Sequence, residues 1–280
     1  MRTAIVALVL AALCTTLVWT VTPESSGAEH RRTERATLRV CSDPNNLPFS
    51  NSQGEGFENR LADLLARDLH ATVQYTWWAQ RRGFVRNTLD AGACDVVMGY
   101  PAGADRVLTT APYYRSTYVF LTRASRRLRI RSFDDPQLRR LRVGVQLVGD
   151  DGANTPPAHA LSRRGVVRNV TGYSVYGDYR TNSPPSAIVA AVARGEVDVA
   201  TVWGPLAGFF AASQPVPLDL TPVQPQLDDQ LPQAFDISMA VRLGDQARLA
   251  QLNHFLEEKH ADIARVLALY HVPRVDQEQR

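Results

Sequence analysis

Two short passages in this chain resemble each other. Residues 89–99 read LDAGACDVVMG and residues 192–204 read VARGEVDVATVWG. Each is a helix end, a glycine, an aspartate, and then a run of β-branched and small apolar residues. A strand without polar alternation is buried on both faces, which marks a parallel sheet covered by helices. Parallel neighbours need a long crossover, usually helical. Two such strands therefore constrain the chain to an α/β architecture of two similar halves.

The remaining pattern agrees with that constraint. Strands are predicted over 38–41, 72–77, 94–99, 118–123, 141–146, 197–202 and 235–241. Helices are predicted over 56–69, with Leu61, Leu64, Leu65 and Leu69 on one face, and over 84–91, 158–164, 186–194, 245–256 and 262–270. Residues 215–232 are rich in proline and read as a loop or lobe connection. The division expected from this order is a discontinuous lobe of residues 37–122 plus 235–275 and a second lobe of residues 123–234.

The compartment follows from the first segment. Met1 and Arg2 give a positive start, residues 4–21 are almost wholly apolar, and Ser26 and Ala28 have the spacing that a signal peptidase reads. A cleaved signal peptide of residues 1–28 and a periplasmic location are expected. The competing reading is an uncleaved anchor, since the run is close to the lower limit of about 17 residues for a span. No later segment reads as a span. Cleavage would leave Cys41 and Cys94 as the remaining cysteines. In an exported chain they form either one disulfide or two buried thiols. Strand register decides between these.

Charge excludes one class of partner. The net charge is +3 over 280 residues, too little for a dedicated nucleic-acid binder. The histidines make no HExxH or paired-ligand pattern, and Asp150, Asp151 and Asn154 match no EF-hand spacing, so neither a metal nor a bound cofactor is expected. No nucleophile motif of the GxSxG type is present.

Several segments carry a family resemblance. CSDPNNLPFSN, GEGFENRLADLLA, TWWAQRRGFVRNTL, CDVVMG, PYYRSTYVF, LRVGVQ, GEVDVATV and FDISMAVRLGD resemble, in this order, the type II periplasmic solute-binding proteins. The first five are similar to the branch associated with quinoprotein dehydrogenases, the J-type accessory proteins of methanol dehydrogenase clusters. The resemblance implies a two-lobed α/β protein of mostly parallel sheets with two crossover strands. It further implies a non-enzymatic periplasmic role beside a PQQ-dependent alcohol dehydrogenase as partner. The alternative is the binding subunit of an ABC importer for a small aromatic or carboxylate ligand. A third reading, an enzyme on this fold, needs an acid or base in the cleft, for which Asp43 and Glu58 are the candidates.

Ligands of open α/β sheets bind outside the carboxyl ends of the strands. The loop after Cys41 is therefore expected to form a cleft wall with Asp43, Asn45, Asn46 and Phe49. Amino-acid binders of the family hold the α-carboxylate with an Arg after the strand matching 94–99 and the ammonium with an Asp after the strand matching 197–202. Here Tyr100 and Pro101 follow the first, Arg106 comes late, and Trp203 in a Gly-Pro loop follows the second. A free amino acid would leave its charges poorly paired. Phe49, Trp78, Tyr113, Tyr114 and Trp203 offer aromatic area instead, although packing explains each ring singly as well. Arg81, Arg82 and Arg86 are either a solvated face or an anion site. With the aromatics, such a site would suit a tricarboxylate such as PQQ.

Overall fold

The structure is a computed structural model that describes residues 36–148, 154–174 and 180–275. The predicted signal peptide and Asp150 and Asp151 lie outside the described residues.

The chain runs through β1 (Ala36–Ser42), β2 (Asn45–Asn46), β3 (Ser50–Asn51), α1 (Phe57–Asp68), β4 (Ala71–Trp77), α2 (Phe84–Asn87) and β5 (Val96–Pro101). Next come β6 (Leu108–Thr109), β7 (Tyr114–Arg123), β8 (Val143–Leu147), α3 (Pro156–Arg163), β9 (Val170–Ser174), α4 (Ala187–Arg194), β10 (Val199–Trp203) and α5 (Gly204–Ala212). β11 (Leu218–Pro222), β12 (Leu227–Asp228), β13 (Leu231–Pro232), β14 (Ala234–Val241), α6 (Gln246–Glu258) and α7 (His260–Leu269) follow.

The main sheet has the order β4-β1-β5-β14-β7-β10-β8-β9. Its flanks are parallel: β4, β1 and β5 on one side, β10, β8 and β9 on the other. Its middle is antiparallel. The long β7 pairs with β14 over residues 114–117 and with β10 over residues 118–122. One strand thus serves both flanks, and with β14 it runs antiparallel between the parallel flanks, as two crossover strands should.

Burial follows strand parity. On β7, Val119 and Leu121 enter a core with Ile188 and Val192 of α4, while Phe120 points to the other face, with Phe133 and Leu161. A separate core joins Leu61 and Leu65 of α1 to Val40, Met98, Met239 and Phe255. Full burial of one such side chain is worth roughly 1.5–3 kcal/mol.

The repeated passage folds the same way twice. The Asp95 amide donates to the Arg39 carbonyl at 2.8 Å, and Arg39 Nε donates to the Asp95 carboxylate at 3.0 Å. The Asp198 amide donates to the Arg142 carbonyl at 2.8 Å, and Arg142 Nε donates to the Asp198 carboxylate at 3.1 Å. The cysteine alternative also resolves. Cys41 and Cys94 are both buried, and they are bonded with their Cα atoms 5.4 Å apart, inside the range a disulfide allows.

Three expectations need correction. The helix predicted over 84–91 is only the turn Phe84–Asn87: the Thr88 hydroxyl donates back to the Phe84 carbonyl at 2.7 Å and the chain leaves the helix there. The segment 215–232 is not all loop. It contributes β11, which pairs on β7, and the small β12–β13 pair; edge strands tolerate proline where central ones do not. Trp203 does not stand in a Gly-Pro loop either. It caps α5, where Pro205 sits in the first turn, a position that has no hydrogen bond to lose.

Candidate functional site

The site begins with why α1 starts where it does. The first turn of a helix leaves backbone N–H groups without partners. Here the loop after β1 supplies them: Phe57 N donates to the Pro48 carbonyl at 2.8 Å and Glu58 N to the Phe49 carbonyl at 2.9 Å. Asn59 Oδ1 accepts from Gly56 N at 3.1 Å. A Cβ on Gly56 would lie 2.0 Å from the Phe49 carbonyl oxygen, so only glycine allows this approach. The Gly-Phe-acid motif thus has three separate jobs. Gly56 admits the loop, Phe57 fills the core, and Glu58 is delivered beside the strand ends.

A cleft of about 430 Å³ opens there. The carboxyl ends of the parallel strands meet in it: Asp43 beyond β1, Gly99, Tyr100 and Pro101 of β5, Gln146 and Val148 at β8, and Trp203 of β10. Tyr114 and Tyr118 of β7, Phe235 and Ile237 of β14 and Leu206 of α5 add apolar wall. Trp203 packs edge-on to Tyr118 at 5.3 Å and to Phe235 at 5.8 Å between centroids.

Polar groups hold the rim. Asp43 accepts from the Asn45 amide at 2.8 Å and from the Gln80 amide at 2.7 Å. It therefore ties the loop after β1 to the loop after β4. Gln146 accepts from the Trp203 amide at 3.0 Å, which fixes β8 against β10 at the cleft floor.

Glu58 is the unusual member. Its side chain lines the cleft, only 5% of the residue is exposed, and among the described residues its carboxyl makes no hydrogen bond. Burial, and secondarily the nearby Asp43 charge, push it up from 4.5 to about 8. The positive end of α1 opposes this by only about 0.3–1 kcal/mol, less than the cost of desolvation. The charged residues of the lining are Asp43 and Glu58; Lys, Arg and His are missing from it among the described residues.

The structure brings together Asp43, Asn46, Phe49, Tyr114 and Trp203. Asn45, Trp78, Arg81, Arg82 and Tyr113 are outside the lining. Asn45 reaches instead to the segment before α4, donating to the Thr181 carbonyl at 2.8 Å and accepting from the Ser183 amide at 3.2 Å. Trp78 is 44% exposed. Tyr113 turns away and donates to the Met98 carbonyl at 2.8 Å. Arg81, Arg82, Arg86 and Arg106 are exposed on the surface, so the aromatic-plus-arginine site for a tricarboxylate does not form in this cleft. Tyr118, Phe235, Gln80 and Gln146 went unnoticed in the sequence. Tyr114 and Tyr118 are four residues apart on one strand, hence on one face, and that parity was the available signal. No cluster of three or more metal-binding side chains occurs among the described residues.

Comparison with known proteins agrees with this geometry. Residues 38–270 match the bacterial extracellular solute-binding proteins, family 3. The chain is 34% identical over 277 residues to the protein MoxJ of Methylorubrum extorquens, covering 94% of this chain and 90% of the relative. The crystal structure of the periplasmic binding protein XoxJ from Methylobacterium extorquens AM1 superposes with a TM-score of 0.70 at 34% identity, covering 86% of this chain and all (100%) of that one. MxaJ from Methlophaga aminisulfidivorans MPT gives a TM-score of 0.72 at 29% identity, covering 85% and 100%. With its strand ends gathered on one cleft and its match running nearly end to end, this chain belongs to the family 3 bacterial extracellular solute-binding proteins.

Proposed function

We propose that this protein is a non-catalytic periplasmic accessory protein that assists the maturation or activation of a PQQ-dependent methanol or alcohol dehydrogenase. Its similarity to MoxJ and XoxJ over nearly the whole chain supports the lineage. The observation that carries the reading is the cleft lining, which is aromatic and acidic and has no described cation. An amino-acid importer must pair its ligand's α-carboxylate, and an unpaired carboxylate in a closing cleft is expensive. The fold is therefore reused away from amino-acid uptake. A leader of residues 1–28 would deliver the chain to the periplasm, and two lobes divided near residues 122 and 235 would close on the cleft.

The importer reading keeps one observation in its favour: the cleft volume lies in the range of small-molecule sites, about 300–1,000 Å³. The test is deletion of the gene in its own host. The expected result is lost dehydrogenase activity in the periplasm, restored by adding the purified protein during dehydrogenase expression. Intact dehydrogenase activity with impaired uptake of a small solute would sink the accessory reading.

A further inference from the structure

We infer that the cleft takes a small organic ammonium ion without a carboxylate, with Glu58 as counter-ion and Tyr118, Trp203 and Phe235 as its aromatic walls. The inference rests on reading the cleft as a binding site and names what that site would hold.

Three independent features converge on a cation. Among the described residues, the charges lining the cleft are both carboxyls, Asp43 and Glu58. The walls are aromatic, and an ammonium over a ring face is attracted by the ring quadrupole. Glu58 is nine-tenths buried, lines the cleft and lacks a hydrogen bond among the described residues. A buried carboxyl in that condition is costly unless paired. Asp43 differs, because its oxygens already accept backbone amides on the rim. Glu58 therefore supplies the contact.

An anionic ligand fails on the same observations. It would meet two carboxyls and no described cation in the lining. A neutral aromatic would fill the walls but leave Glu58 unpaired.

Proton linkage gives the inference a signature. Glu58 with its folded value of about 8 is mostly protonated near neutrality, and an ammonium ligand requires it ionised. Binding should therefore release a proton. The other titratable groups that act on Glu58 are Asp43 on the loop after β1, Tyr75 on β4, Tyr113 just before β7 and Tyr114 at its start. Burial pushes the three tyrosines up, above neutrality, so they do not supply that proton.

The test is isothermal titration calorimetry on the purified protein with phenethylamine, phenethyl alcohol and phenylacetate, one aromatic frame carrying a cation, a neutral group and an anion. The amine should bind at least about tenfold more tightly than the alcohol, and phenylacetate should bind weakest. Titrations at neutral pH in buffers of different ionisation enthalpy should show up to about one proton released per amine bound. Glu58→Gln should abolish both the preference and the release. The ranking in the unaltered protein decides the matter even if that variant folds poorly. Phenylacetate binding as tightly as the amine would overturn the charge assignment while leaving the cleft as a site. Failure of all three to bind would overturn the inference together with the reading of the cleft as a small-molecule site.

Discussion

The Glu58 Oε1 atom lies 2.0 Å from the place a Cβ would take on Gly99. The glycine that ends the apolar run of β5 is therefore a seat for the carboxyl. The carboxyl is the flexible end of a side chain that lines the cleft, so the cleft is where it would give way. Gly99→Ala should displace the carboxyl from its seat at a cost of about 1 kcal/mol, the low end for overpacking. Urea unfolding measures it. The double variant Glu58→Ala, Gly99→Ala should recover most of the loss, because the clash is with that side chain alone. An unchanged midpoint in Gly99→Ala would refute the contact.

Glu58 also sets a pH dependence of stability. Its carboxyl has an ordinary value of 4.5 and a folded value of about 8. Between those values the folded state holds a proton that the unfolded state has lost. Stability from this group is thus fully present below about pH 4.5 and falls as pH rises through about 8. The loss at high pH is on the order of 5 kcal/mol. Glu58→Gln removes the titration. Unaltered protein and variant should unfold at similar urea concentrations at pH 5 and diverge at pH 9, with the variant more stable. Parallel behaviour at both pH values would show that the carboxyl ionises freely in the folded protein.

The parallel flanks were legible because a strand buried on both faces leaves an unbroken apolar run, as in Val96–Val97–Met98 and Val199–Ala200–Thr201. Asp43, Asn46, Phe49 and Trp203 were legible for a related reason: parallel strands put their carboxyl ends on one edge. Helix α5 was hidden because GPLAGFFAA is apolar nearly all round, so periodicity had nothing to detect. Glu58 was legible only as the acid or base that an enzyme on this fold would need, since an acid in a first helical turn ordinarily faces water and complements the dipole. Its burial comes from the Phe49 carbonyl and Gly99, which no local pattern reveals. Arg81 and Arg82, a charge run near a strand end, lie on the exposed surface outside the cleft lining.

The twin aspartates predict an acid limit. At Asp198, hydrogen bonds from Arg142 outweigh burial and, with the charge of Arg126 besides, hold the carboxyl well below its ordinary range. At Asp95 burial pushes upward, yet bonds from Arg39 and Arg242 prevail and the carboxyl is again lowered. A lowered carboxyl contributes stability above its unfolded value, near pH 4, and loses it as pH falls further. Asp198→Asn should cost about 1.5–3 kcal/mol at neutral pH, the range for hydrogen bonds to charged groups. It should also flatten the loss of stability between neutrality and about pH 3. Thermal unfolding across that range checks both. A variant that loses stability in acid as steeply as the unaltered chain would show that the ion pair contributes little.

The disulfide offers a second large effect, one that needs no titration. Cys41 closes β1 and Cys94 precedes β5, and their bond spans 53 residues that include α1 and β4. Cross-linking a loop of that length restricts the unfolded chain by roughly 3–4 kcal/mol. Both sulfurs sit in a small core with Phe84, Leu89, Val97 and Val107, so alanine is the fitting replacement. Cys41→Ala, Cys94→Ala should lower unfolding stability by that amount, and a reductant should bring the unaltered protein to a similar midpoint without moving the variant's. Asp43 stands two residues beyond Cys41 and carries the rim bonds to Asn45 and Gln80. If the bond anchors that rim as well as the fold, hydrogen exchange at the Gln80 amide should quicken in the variant under conditions where it remains fully folded. Unchanged exchange there would confine the disulfide to global stability.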